Sequence, residues 1–425
     1  MEQKRRSRRD FLQNIVIVLL SLSALLLFAQ TQLYNLGDET YAGLFSATGS
    51  QVTMEPAEGQ VEFSVPVRIA VSGPYGRYGS VTMETGREAF APLGRLMGEV
   101  IGSAKTYTVC DEEAFLGALK GTCAYYDFLN PLPLSVLAGL AGGATADDTA
   151  ARLLTVAADT KGVGLYLWDG AEEYRRYSTA VTAEALESAI GQYELGNVCF
   201  AFEGIDQETE LEGIAPYALF MQEEPLMAVL TEEIPSVEAE SLLAALQFNP
   251  NTKSRYTESS GTEVIVENGR TLRLRTDGRI SYHSGGDPTL SVSAAGDTPT
   301  LAEIASEGSA RMHQLLTAAG GGQGTLYLQQ MRQTGPTVTL TYGYEVNGVP
   351  VRFVDGENAG SITLSGTTVT ALELRLRRYT ATEEETVLLP LRQAAAIAKR
   401  HEDAELFIGY VSDGNGRADA RWLVE

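Results

Sequence analysis

The sequence predicts an α+β protein on a single N-terminal transmembrane helix, with an α/β domain followed by two curved antiparallel sheet-plus-helix units. Three observations predict it. One long uncharged apolar run lies near the amino terminus and does not recur. Strand-like and helix-like periodicities then alternate over residues 61–250. After Asn249-Pro-Asn251 the pattern changes to hairpin signals in two rounds, each with one helix.

Lys4, Arg5, Arg6, Arg8 and Arg9 crowd the first ten residues, against Glu2 and Asp10, leaving this tail at +3. No charge follows from Phe11 to Gly37. A helix crossing the hydrocarbon needs roughly 20 mainly apolar residues, and residues 11–33 supply them. Basic residues ahead of a span stay cytoplasmic, so these five set the topology. Residues 1–10 are expected inside the cell membrane and residues 34–60 form a tether outside it, making the C-terminal domains extracellular. A cleaved leader shares the charged start, but Leu27 three before Gln30 is a poor cleavage site, and no cysteine ends the span for a lipid anchor. Asn14, Ser21 and Phe28 recur at seven-residue spacing, one side of a packed helix, and are the candidate transmembrane contact. Asn and Ser hydrogen-bond between helices in lipid. The alternative places Gln13 and Asn14 at headgroup depth and turns Ser21 and Ser23 onto their own backbone.

The formal charge is −23, hence −26 for residues 11–425. So acidic a surface repels nucleic acid and anionic headgroups. A hydrophobic content of 44% is that of a folding chain. Three cysteines are too few for a disulfide scaffold; Cys110 and Cys123 have the option of pairing and leaving Cys199 over, and buried free thiols are the plainer expectation.

Within 61–250, Val61 to Val71 is strand-like. Gly86 to Lys105 is helical, with Phe90, Leu93, Leu96, Met97, Val100 and Ile101 on one face. Asp111 caps a helix reaching Lys120. Cys123 to Phe128 is a strand, and Pro133 opens a helix from Leu134 to Leu140. Gly164 to Trp168 is a strand and Thr182 to Gln192 a helix. Ala215 to Leu230 is expected as a strand pair around Glu223-Glu-Pro225, and Ser236 to Leu246 as a helix. The first later unit, 255–335, holds an Asn268-Gly269 hairpin, an Asp277-Gly278 turn, and a helix headed by a Thr300/Glu303 capping box. The second, 337–425, repeats the hairpin at Asn347-Gly348, places strands around Ser365-Gly366, starts a helix at Pro390 and closes with strands about Ser412 to Gly416.

No constellation of catalytic residues emerges. His283, His313 and His401 have no metal-spaced partner, and nucleophile-elbow, metalloprotease and phosphate-loop motifs are absent from the chain. Catalytic, metal and cofactor sites are therefore expected to be none. Ser72 to Gly79 offers backbone amides to an anion but lacks a phosphate loop's lysine and hydroxyl, so a flexible loop is expected. Acidic pairs such as Glu223-Glu224 and Glu383-Glu384-Glu385 are expected as solvated charge. Asp413 to Asp419 lacks a calcium loop's spacing and terminal Glu; a hairpin turn suffices.

Several stretches resemble the YycH/YycI family of regulators of WalK-type sensor histidine kinases, YycH above all. They are Tyr125-Tyr126-Asp-Phe128 before Pro131-Leu-Pro133, and Gly269-Arg-Thr-Leu-Arg-Leu running into Asp277-Gly-Arg-Ile-Ser-Tyr282. A YycI-like end follows in Tyr344-Glu-Val-Asn-Gly-Val-Pro-Val351, Leu389-Pro390 with Gln393-Ala-Ala-Ala-Ile397, Ile408-Gly-Tyr410 and Trp422. The resemblance covers nearly the whole chain. It implies a non-enzymatic, membrane-anchored regulator of a sensor kinase in Gram-positive cell-wall homeostasis, contacting the kinase through span and extracytoplasmic domains, with a paralogous YycI-like companion. The alternative is an anchored ligand-binding module for a wall fragment or peptide, with Tyr75, Tyr78, Tyr125, Tyr126 and Trp168 as candidate lining residues, for which packing in an aromatic core is the plainer expectation.

Overall fold

Hairpins, rather than crossover helices, build the first sheet. Its strands are β1 (Pro66–Gly73), β2 (Gly76–Glu84), β3 (Tyr107–Cys110), β4 (Cys123–Pro133), β5 (Ala150–Asp159), β6 (Gly162–Trp168) and β7 (Tyr174–Ser178). They lie in the order β2-β1-β4-β5-β6-β7-β3, with every neighbour antiparallel. The expected α/β character of 61–250 is thereby corrected. The alternation of strands and helices suggested parallel crossovers, but β5, β6 and β7 follow one another through short turns, and β4 pairs antiparallel with β5 although residues 134–149 lie between them. The description comes from a computed structural model and covers residues 64–73, 76–193, 198–204, 211, 213–221, 225–236, 239–251, 254–285, 290–292, 299–320, 324–401 and 404–424.

Helices cover both faces of this sheet. The central strand β4 is buried along most of its length, because adjacent tyrosines serve opposite faces. Tyr126 turns toward α1 (Ala91–Ser103) and donates its hydroxyl to the Leu93 carbonyl at 2.9 Å. Tyr125 turns the other way and donates to the Tyr217 carbonyl at 3.1 Å. On that second face α2 (Glu112–Leu119) buries Phe115 and Leu119, and its Asp111 cap accepts from the Ala114 amide at 2.9 Å. α3 (Leu134–Leu140) is enclosed almost all round, as a helix without polar face should be. α4 (Ala183–Ile190) begins at a Thr182 cap.

The expected pair within Ala215 to Leu230 does not form. β9 (Leu219–Met221) pairs with β8 (Val198–Phe200), whereas β10 (Met227–Glu233) leaves to join a second sheet. After α5 (Ala239–Ala245) come β11 (Arg255–Thr257), β12 (Glu263–Glu267), β13 (Arg270–Leu274) and β14 (Arg279–Ser284). α6 (Leu301–Ala318) carries the expected reciprocal capping box, Glu303 amide to Thr300 Oγ1 at 3.2 Å and Thr300 amide to Glu303 at 2.8 Å. Then follow β15 (Thr325–Thr334), β16 (Thr337–Val346), β17 (Val349–Phe353), β18 (Gly360–Ser365), β19 (Thr368–Arg375), β20 (Arg378–Thr386), α7 (Leu391–Ala398), β21 (Leu406–Ser412) and β22 (Arg417–Val424).

β10 to β22 form one thirteen-stranded sheet. The two expected units do not keep separate sheets, because β14 of the first pairs with β19 of the second from Arg279↔Arg375 to His283↔Ala371. Both Asn-Gly turns adopt positive φ at both residues, 49° and 78° at Asn268-Gly269 and 55° and 79° at Asn347-Gly348, the conformation that matches strand twist in two-residue hairpins. Asp413 closes the last hairpin by accepting from the Asn415 and Arg417 amides at 2.7 and 3.2 Å.

The two sheets share a core. α3 packs on both α1 and α6, and β4 reaches β15, so apolar contact runs unbroken from Val65 through the helices to Tyr410. α7 instead joins Ile214, Phe220 and Leu406 in a separate cluster. A buried ionic seam accompanies the shared core. Arg68 pairs with Asp127, Arg152 with Glu405, and the Arg68 Nη1 donates to the Leu406 carbonyl at 3.2 Å.

Candidate functional site

The expected membrane contact Asn14, Ser21 and Phe28, and the topology-setting Lys4, Arg5, Arg6, Arg8 and Arg9, lie outside the described residues. Among the described residues no helix is long and apolar enough to cross a membrane.

The aromatic residues named for a ligand cleft belong to the interior. Tyr125 and Tyr126 are fully buried, Trp168 lies 4.8 Å from Tyr217 between ring centroids, and Tyr78 stacks on Tyr193 at 5.1 Å; Tyr75 is outside the described residues. Their apolar bulk is used to fill a two-faced sheet, which a sequence cannot distinguish from a binding wall. Of Ser72 to Gly79, the described residues lie in paired strands, Ser72 opposite Arg77 and Gly73 opposite Gly76, while residues 74 and 75 lie outside the described residues. A hollow of about 470 Å³ opens beside these strands, lined by Ser72, Gly73, Gly76, Arg77, Lys120, Gly121 and Thr122. Arg77 is already committed, pairing with Glu203 and donating Nε to Ser72 Oγ at 2.7 Å.

A more developed site lies on the outer face of the large sheet. β14, β19 and β18 turn Ile280, Leu374, Leu372 and Ile362 inward and present Arg279, Ser281, Glu373, Arg375 and Ser361 outward, as strand alternation requires. With Arg275 and the Glu357–Ala359 segment they line a groove of about 430 Å³. Arg279 and Arg375 stand directly opposite each other, a repulsive arrangement on its own. Glu357 bridges the two, at 2.5 Å from Arg279 and 3.9 Å from Arg375, and Asp355 adds a 2.7 Å contact to Arg375. Desolvation works to raise the Asp355 carboxyl, but the Glu357 amide and Arg375 outweigh it and hold it below its usual value. The Arg375 guanidinium also lies 4.0 Å over the Phe353 ring, and its Nε is buried without a hydrogen-bond partner.

This groove holds fork-shaped donors and neighbouring carboxylates, a donor set suited to a ligand carrying both charges. Ser281 and Ser361 flank Glu373 on the neighbouring strands of this groove. Its arginines were visible in the sequence as hairpin residues only. Their convergence depends on β14 pairing with a strand some ninety residues later, and no local signal announces that.

The remaining chemistry-bearing groups are dispersed. His313 contacts the Ser309 carbonyl at 2.9 Å, one turn back on its own helix. Among the described residues no three His, Cys, Asp or Glu side chains converge as a metal site. Among the described residues Cys110, Cys123 and Cys199 form no disulfide, and burial pushes Cys123 up to about 11. Glu345 is fully buried on β16. Burial, with Glu84 nearby, pushes its carboxyl up to about 8.

No protein-family model matches the chain, and neither a curated protein nor a solved structure matches it.

Proposed function

We propose that this chain is a non-enzymatic, single-pass regulator of a WalK-like sensor histidine kinase, acting on cell-wall homeostasis with its amino terminus cytoplasmic and its sheets outside the cell. The observation that carries the proposal is the order of a basic tail, one uncharged span and a long acidic folding chain, joined to the YycH-like stretches at Tyr125–Pro133 and Gly269–Tyr282. The shared core and the Arg152–Glu405 seam support it physically, since a signal crosses a body whose parts move together. The Asn14, Ser21 and Phe28 face would meet the kinase helices, and a YycI-like companion is the expected second partner. A preference of about 1–3 kcal/mol for one kinase state would shift its output about 5–150-fold. Replacing residues 11–33 with an unrelated apolar span tests the membrane contact. Kinase output should lose its dependence on this chain, and an unchanged output removes span-mediated control.

The groove at Arg275, Arg279 and Arg375 favours a second reading, an anchored module that binds a wall peptide through its carboxylates. Wall peptides should raise the melting temperature of the chain, and Arg279→Ala should abolish that rise. A melting temperature that wall peptides leave unchanged removes this reading.

A further inference from the structure

One edge of the seven-stranded sheet is β3, which among the described residues pairs with β7 alone. Thr106 accepts the Ser178 amide at 3.0 Å. Backbone polar groups alternate sides along an antiparallel strand, so Thr106 and Thr108 face β7 while Tyr107 and Val109 turn their N–H and C=O groups outward. Lys105 to Val109 are all exposed, Tyr107 at 48% and Val109 at 68%. An unprotected edge with outward apolar side chains is a template for another strand. One end of the larger sheet differs. There β20 carries Glu383, Glu384 and Glu385, which would repel their own copies across a two-fold axis.

We propose that β3 is a self-pairing edge, joining two copies of this chain antiparallel about Thr108. In that register Tyr107 of one copy stands opposite Val109 of the other, and Lys105 stands opposite Asp111. The charges are complementary at both ends. Lys105 and Asp111 are exposed in the single chain, and Asp111 uses one oxygen for its cap on α2. The Tyr107 ring, already opposite Tyr177 and with the Arg175 guanidinium 4.5 Å from its centroid, would gain the partner's Val109 on its open side. The pairing also supplies acceptors and donors to the outward backbone groups of Tyr107 and Val109. This assembly is independent of the kinase proposal and stands if that proposal fails.

The register makes a positional demand. Thr108 meets its own copy at a non-hydrogen-bonded position, where Cα atoms approach to about 4.5 Å, within disulfide range. The test is oxidation of the full chain in native membranes, carrying Thr108→Cys with Cys110→Ser and Cys199→Ser. A covalent dimer is expected, with several-fold less of it when Lys105→Glu is added. Glu383→Cys in the same background should remain monomeric. The proposal is overturned by a Thr108→Cys chain that stays monomeric while retaining native protease resistance. Equal dimer from Glu383→Cys, or a yield indifferent to Lys105→Glu, overturns it as well.

Discussion

Arg152 on β5 reaches across the seam between the two sheets to pair with Glu405, which immediately precedes β21. The two side chains are only 12% and 11% exposed. The same guanidinium lies 3.8 Å from Asp127 and 5.7 Å from the Trp168 ring centroid. An ion pair this enclosed gives little net stability against an apolar pair, but losing one member strands the other.

That asymmetry predicts the outcome of substitution. Arg152→Ala should lower the unfolding free energy by about 3–5 kcal/mol, read from the denaturant midpoint at unchanged slope. The double change Arg152→Met with Glu405→Leu should recover most of the loss. Equal destabilisation by the single and double changes would mean that the pair contributes more than relief of a buried charge.

Glu345 predicts a pH dependence of definite sign. Its folded carboxyl is held at about 8 against an ordinary value of 4.5, so between these values the folded chain keeps a proton that the unfolded chain releases. Its contribution is therefore fully present below about pH 4.5 and is lost as pH rises through 8, with a slope of at most about 1.4 kcal/mol per pH unit. Glu345→Gln should flatten that decline, measured as melting temperature between pH 5 and 8. Asp147, Asp159 and Asp355 are shifted downward and act with the opposite sign at lower pH, so they do not obscure the comparison. An identical pH profile in the variant would mean that Glu345 does not titrate in this window.

Gly348 predicts a local test of how the sheets meet. It takes φ of 79°, and a Cβ there would lie 2.7 Å from the Met83 backbone on β2. Strained φ and a backbone collision both oppose a side chain, each worth about 1–3 kcal/mol. Gly348→Ala should destabilise by more than Gly366→Ala, where φ is 60° but nothing lies within 4 Å. The difference between the two variants isolates the β2 contact from backbone strain, and hydrogen exchange should rise in β2 for the first alone.

The capping box of α6 predicts a smaller effect. Thr300→Ala removes the side-chain oxygen that accepts from the Glu303 amide, at a cost of about 1 kcal/mol. Thermal unfolding of the variant measures it.

Local devices were legible in the sequence because their physics is local. Asp111, Thr300, Pro390 and the two Asn-Gly turns each act within four residues, and each lies where composition places it. Pairing was not legible. Tyr166 and Trp168 belong to a strand apolar on both faces, so its hydrophobic run does not say which strand lies beside it or in which direction. β2 was hidden in a glycine- and tyrosine-rich stretch, and β20 in a run of glutamates that looks like solvated charge. The outer groove was hidden for the same reason as the single large sheet. Arg279 and Arg375 become neighbours only through a long-range register. The aromatics offered for a ligand cleft follow the plainer expectation instead, since Tyr125, Tyr126 and Trp168 are buried in the core.

The central claim is that this chain contacts a sensor kinase in the membrane. Its most direct test is crosslinking of the full chain in native membranes, followed by identification of the captured proteins. A regulator of the proposed kind should recover a WalK-like sensor histidine kinase, with recovery falling when residues 11–33 are replaced by an unrelated span. Capture that lacks any sensor kinase, from membranes in which the kinase is present, would contradict it.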